Sequence, residues 1–191
     1  TSVEMTLPAH GSLFVFFGTD RPMPLSTESL LPTQPGRQAK ELKPLQPWSV
    51  LLKENGKNMA WQQLTDWSKS SDDSVRYFSG HAVYQTTFRS PQSPASATRL
   101  WLGEVHDVAS VWVNGIYCGT AWTEPYCVEI GKALRKGTNN LRIEVVNTWA
   151  NALRGADSGK APYAGIWTNA RYRLKGDALL PAGLLGPLKI D

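Results

Sequence analysis

The pair Asn114-Gly115 constrains this chain more than any other feature, because it stands between two β-branched runs. A type I′ hairpin turn needs positive φ at both central positions, which Asn tolerates and Gly accepts without steric cost. The stretch from Arg99 to Gly119 therefore reads as half-buried strands closed by a hairpin, with Leu100 and Leu102, then Ala109, Val111 and Val113, alternating toward one face. The turn predicts a register in which Val113 pairs with Ile116 and Val111 with Cys118 on the core face, while Trp112 pairs with Tyr117 on the other. Parity puts Trp101, Trp112 and Tyr117 opposite the local core. Such a row predicts cover by a further layer, by a partner domain or by a stacked ligand.

The flanking sequence follows the same pattern. Trp48 to Leu52 reads as a short strand closed by Glu54-Asn55-Gly56, and Tyr77 to Phe88 as a longer one. Pro125 to Ile130 and Leu141 to Val145 are further strands, separated by a possible helical turn at Gly131 to Leu134 and a turn at Lys136 to Asn139. Met59, Ala60, Trp61, Leu64 and Trp67 fall near helical spacing and predict a short helix ending at Ser68. A long loop, Asn147 to Pro162, precedes two more strand candidates, Ile166 to Leu174 and Leu185 to Ile190. Short strands with turn signals and no long amphipathic helix argue for an all-β sandwich of jelly-roll type. Residues 1–20 read as a terminal hairpin, either the remnant of a preceding domain or an extra edge. Residues 21–46 are a proline-rich linker, and 47–191 form the sandwich. The chain opens on Thr1 and shows no signal peptide, so it is expected to be a piece of something longer, periplasmic or secreted if its parent is exported.

Composition narrows the function classes. Charged residues make up 19% and hydrophobic ones 41% of the 191 residues, which suits an ordinary globular chain, and no apolar run is long enough to cross a bilayer. The net charge of +4 comes from scattered basic residues without a stripe, which argues against nucleic acid as a partner. His10, His81 and His106 are separated by whole strands and show no zinc spacing. Calcium occurs in jelly rolls, but no loop here carries its signature, so no cofactor is expected. The two cysteines, Cys118 and Cys127, fall on different sides by parity and are expected as free thiols.

Five stretches taken together resemble a known module: Y-F-S-G-H-A-V-Y-Q-T-T-F (77–88), L-W-L-G-E-V-H-D-V-A-S-V-W-V-N-G (100–115), P-Y-C-V-E-I (125–130), G-T-N-N-L-R-I-E-V-V-N (137–147) and Y-A-G-I-W (163–167). The series resembles the galactose-binding-like jelly roll of the β-galactosidase and β-glucuronidase family. With L-T-D-W-S (64–68), N-T-W-A-N (147–151) and G-L-L-G-P (183–187) added, it is most similar to the C-terminal region of large bacterial α-L-rhamnosidases. The resemblance covers about residues 45–191. It implies a non-catalytic accessory domain of a glycoside hydrolase, with the catalytic carboxylates on a separate barrel that this chain has no repeats to build. One departure is that Asn151-Ala152-Leu153-Arg154 stands where relatives tend to have Asn-Arg-Leu.

Candidate site residues cluster in the loop from Asn147 to Trp167. Trp149, Asn151, Arg154, Asp157, Tyr163 and Trp167 combine rings that stack on sugar faces with planar polar groups that pair with hydroxyls. Trp112 and Tyr117 add a second candidate surface. If the loop meets carbohydrate or the barrel, Arg154, Asp157 and Tyr163 should be accessible. If it plugs the sandwich, Trp149 and Trp167 should be buried, with the polar groups tied to local backbone. Asp107, Glu124 and Asp157 could pair as hydrolytic carboxyls, but no motif selects two of them. The rivals to the accessory reading are an autonomous carbohydrate-binding module and a small self-sufficient hydrolase.

Overall fold

The structure, a computed structural model, describes residues 34–36, 39–90, 97–169 and 178–191. The expected hairpin over 1–20 and most of the linker lie outside them. The elements run β1 (Lys40–Glu41), β2 (Trp48–Leu52), β3 (Lys57–Trp61), a 3₁₀ turn (Trp67–Lys69), α1 (Asp73–Arg76), β4 (His81–Ser90), β5 (Arg99–Trp101) and β6 (Glu104–His106). They continue with β7 (Val108–Val113), β8 (Ile116–Ala121), β9 (Cys127–Glu129), β10 (Gly137–Val146), α2 (Ala150–Asp157), β11 (Gly183–Gly186) and β12 (Lys189–Ile190). A six-stranded sheet in the order β3-β2-β4-β10-β7-β8 faces a four-stranded sheet in the order β1-β12-β5-β9, with β11 and β6 paired beside them. All these ladders are antiparallel.

Alternation builds the core. Val50 and Leu52 on β2, Ala82, Tyr84 and Phe88 on β4, Leu141, Ile143 and Val145 on β10, and Ala109, Val111 and Val113 on β7 turn inward. They meet Leu100, Leu102, Val128, Ile130, Leu184 and Leu188 from the other layer. Each fully buried aliphatic side chain contributes about 1.5–3 kcal/mol relative to exposure. Buried Tyr84 is the polar pin of this core: its hydroxyl accepts from Trp67 Nε1 at 2.6 Å and from the Leu184 N–H at 3.2 Å. Trp48 and Trp61 pack edge-on to its ring, and Trp67 to Phe78. Gly183 takes φ 108°, and a Cβ there would lie 2.3 Å from Trp67 Nε1.

The Asn114-Gly115 turn forms as expected, with φ 53° and 81°. Asn114 does more than turn. Its Nδ2 donates to the Ala133 carbonyl and to Asn139 Oδ1, both at 2.8 Å, and its Oδ1 accepts from the Asn140 N–H at 3.0 Å. Trp112 pairs with Tyr117 and Val113 with Ile116, but the expected pairing of Val111 with Cys118 is corrected: Val111 pairs with Gly119. Gly119 adopts φ 135°, a conformation that lets Cys118 stand out of the ladder as a bulge. Both cysteines are free, with Cys127 buried.

Four other expectations change. The helix over Met59 to Ser68 does not form. Met59 lies in β3, an edge strand on β2, and only the turn capped by Asp66 is helical there. The strand through Leu100 and Leu102 breaks at Gly103, which has φ 70°, giving β5 and β6. The loop after Asn147 contains α2. Residues 166–169 are not strand, and the remainder of that candidate lies outside the described residues.

Candidate functional site

The register brings three chain segments to one end of the six-stranded sheet. Val108 pairs with Val146 and Ala109 with Ala121, so Asp107, the Asn147-Thr148 step and the segment from Trp122 to Tyr126 emerge together. Between them and the β6 edge lies a cleft of about 990 Å³, whose lining includes Trp101, Glu104, Asp107, Trp122, Glu124 and Tyr126. Trp122 projects into solvent, 69% exposed, whereas Trp101 is buried with its Nε1 donating to Asp191 Oδ2 at 3.0 Å.

The polar groups of the cleft are held unequally. Asp107 Oδ2 accepts from the Thr148 N–H at 3.0 Å, a bond that ties the cleft to the start of α2. His106 Nε2 lies 2.9 Å from Glu104 Oε1. Burial, followed by the nearby carboxylates of Asp107 and Glu124, pushes the Tyr126 phenol above its usual pKa, so it remains a hydrogen-bond donor through the neutral range. An exposed indole, a protonated phenol and carboxylate acceptors can grip a polyhydroxylated ligand, stacking on its C–H faces and pairing with its hydroxyls. Hydrolysis asks for something else, a carboxyl kept protonated by apolar surroundings. Glu104 and Glu124 are solvent-exposed and offer no such pocket. Among the described residues no three His, Cys, Asp or Glu side chains are grouped to hold a metal.

The loop residues singled out from sequence divide between two roles. Asn151 is buried and exchanges hydrogen bonds with Leu180, its Nδ2 donating to the carbonyl at 2.7 Å and its Oδ1 accepting from the N–H at 2.9 Å. The Tyr163 hydroxyl donates to the Ser79 carbonyl, and its ring packs against Phe78 at 6.0 Å. Arg154 donates to the Ala178 carbonyl, and Asp157 is exposed at the end of α2. Trp149 and Trp167, which a plug would bury, are 51% and 77% exposed. The plug expectation is thus corrected in its tryptophans, although the polar groups are tied to backbone. On the sheet face Trp112 is half-buried beneath Arg142, and Tyr117 is exposed. Trp101, expected on the same open row, instead closes the cleft floor.

Trp122 and Tyr126 were not identified from the sequence. The hairpin register could have found them: carried from Gly115 to Ala121, it places the next residues beside Asp107.

A two-layer antiparallel sandwich with an open cleft at one end of its sheets, lined by rings and carboxylates, is the build of a carbohydrate-associated β-sandwich module. The chain belongs to the glycosyl hydrolase 2 galactose-binding domain-like family, which it matches over residues 49–175. It is similar to a rhamnosidase from Novosphingobium sp. PP1Y, at 36% identity and TM-score 0.70, over 82% of this chain and 16% of that one. A β-D-glucuronidase from Dictyoglomus thermophilum shares the fold at 19% identity and TM-score 0.54, over 82% of this chain and 28% of that one. A putative beta-glucuronidase of Formosa agariphila is 29% identical over 69% of this chain and 14% of its own length. The chain therefore spans only a small part of each of these larger proteins.

Proposed function

We propose that this chain is a non-catalytic accessory domain of a larger glycoside hydrolase of the rhamnosidase type, which braces a catalytic barrel and presents its end cleft to carbohydrate. The observation that carries this reading is the cleft itself: a solvent-exposed tryptophan, Trp122, stands beside the Tyr126 phenol and three carboxylates in a space of about 990 Å³. Rings and paired polar groups at that scale suit one or two sugar units. The exposed rings of Trp149 and Trp167 are available as contacts for such a barrel, each offering a large apolar face with a polar N–H at its edge.

Titration of the 191-residue chain with rhamnose and galactose glycosides, followed by tryptophan fluorescence, tests the cleft. A saturable change that disappears in Trp122→Ala while the fold is kept supports it; identical titrations of the two proteins would refute it. The chain is also expected to leave aryl rhamnosides and galactosides intact. Turnover that survives purification and vanishes in Glu124→Gln or Asp157→Asn would replace the accessory reading with that of an autonomous enzyme.

A further inference from the structure

The outward face of the six-stranded sheet carries a second arrangement, away from the end cleft. The ladders set Ala60, Ser49, Gln85, Arg142, Trp112 and Tyr117 opposite one another in succession, across β3, β2, β4, β10, β7 and β8. With neighbouring strands about 4.8 Å apart, the line is roughly 24 Å long. That step is close to the advance per ring of an extended saccharide chain. Along it lies a hollow of about 470 Å³ in which Arg142 is the sole charged residue among the described lining.

Arg142 is fixed in place. Its guanidinium carbon sits 4.1 Å from the Trp112 ring centroid, and that ring lies 5.4 Å from Tyr117. One of its nitrogens donates to Glu144, which Lys53 also engages at 2.6 Å, so two cations meet one carboxylate and the local charge stays positive. The remaining guanidinium donors, and the side-chain amides of Gln46, Gln85 and Asn140 around the hollow, have no hydrogen-bond partner among the described residues. A prepositioned guanidinium is suited to a carboxylate, neutral amides to hydroxyls, and an exposed tyrosine ring to a sugar face.

We propose that this transverse row is a docking site for an extended uronate-bearing oligosaccharide, with a sugar carboxylate on Arg142, hydroxyls on Gln46, Gln85 and Asn140, and a ring on Tyr117. The site is independent of the end cleft, and its ligand is an acidic chain. Charge complementarity selects that occupant over a neutral glycan, because Arg142 and Lys53 share the single Glu144 carboxylate and leave one positive charge in excess beside the hollow.

Affinity electrophoresis of the 191-residue chain in gels containing polygalacturonate, with neutral galactan as the comparison, tests this. Stronger retardation is expected in polygalacturonate than in galactan, the excess weakened at least about tenfold by Gln85→Ala and abolished by Arg142→Gln. That excess is expected to persist in Lys132→Gln, which removes an equal charge from an exposed turn. No retardation, equal retardation by both polymers, or an equal loss in Lys132→Gln and Arg142→Gln would overturn the proposal. Because Gln85 is exposed on the sheet surface, its alanine variant reports on the row even if Arg142→Gln disturbs packing with Trp112.

Discussion

Tyr84 shows how a single hydroxyl can hold two layers together. It joins Trp67, on the segment before α1, to the Leu184 backbone on β11. Replacing Tyr84 with Phe strands both donors in the core and is expected to cost about 1–3 kcal/mol, read as a lower denaturant midpoint with unchanged slope. Asp66 stitches the same region. Burial works against its ionisation, but hydrogen bonds from the Ser68 hydroxyl and the Ala182 and Ser68 N–H groups outweigh that, as does nearby Lys69, and hold its pKa below the usual value. Because the folded pKa is depressed, its contribution is full above the unfolded value of about 3.9 and is lost as pH falls through the folded one. Asp66→Asn should therefore flatten the loss of stability on acidification, measured by chemical denaturation at neutral pH and below about pH 4. None of this was legible in the sequence. Tyr84 could be assigned to an inward-facing position by alternation, yet the partners of its hydroxyl lie 17 and 100 residues away.

At the scale of elements, legibility followed local chemistry. The Asn114-Gly115 turn was readable because the φ values it needs are a property of two adjacent residues. Gly115→Val is expected to cost about 1 kcal/mol or more through strain at positive φ, with no contribution from crowding, since nothing lies within 4 Å of a Cβ built there. An unchanged thermal midpoint would contradict that. The bulge at Cys118 was not readable, because a one-residue shift depends on Gly119 adopting an unusual φ that alternation does not encode. Helix α2 was hidden for a different reason: Trp149 caps it without a side-chain hydrogen bond, and its buried face is Asn151, Ala152 and Gly155 rather than a stripe of large apolar residues. Gly155 is there because a Cβ would come within 2.8 Å of Tyr77. Gly155→Val should accordingly loosen α2 from the residues around Tyr77, seen as faster amide exchange over 150–157 with the β10 amides still protected.

For the whole molecule, the sequence carried the sandwich and its family through a series of short motifs, each positioned by the strand that bears it. The site was only half legible. The loop after Asn147 was singled out for its mixture of rings and planar groups, and its polar members proved to fasten α2 and the 178–182 segment in place. The cleft is formed instead where three chain reversals meet, a property of register across strands distant in sequence. Two of its carboxylates, Glu104 and Glu124, are exposed, and on the proposed reading the molecule holds a sugar rather than cleaving one. The most direct measurement of that claim is steady-state kinetics of the full-length parent enzyme carrying Trp122→Ala, with folding verified by thermal denaturation. A raised KM for its glycoside substrate with kcat unchanged is the expected result, since a contact made equally in ground and transition states affects binding alone. Kinetics indistinguishable from the unaltered parent would contradict a carbohydrate-contacting role for the cleft.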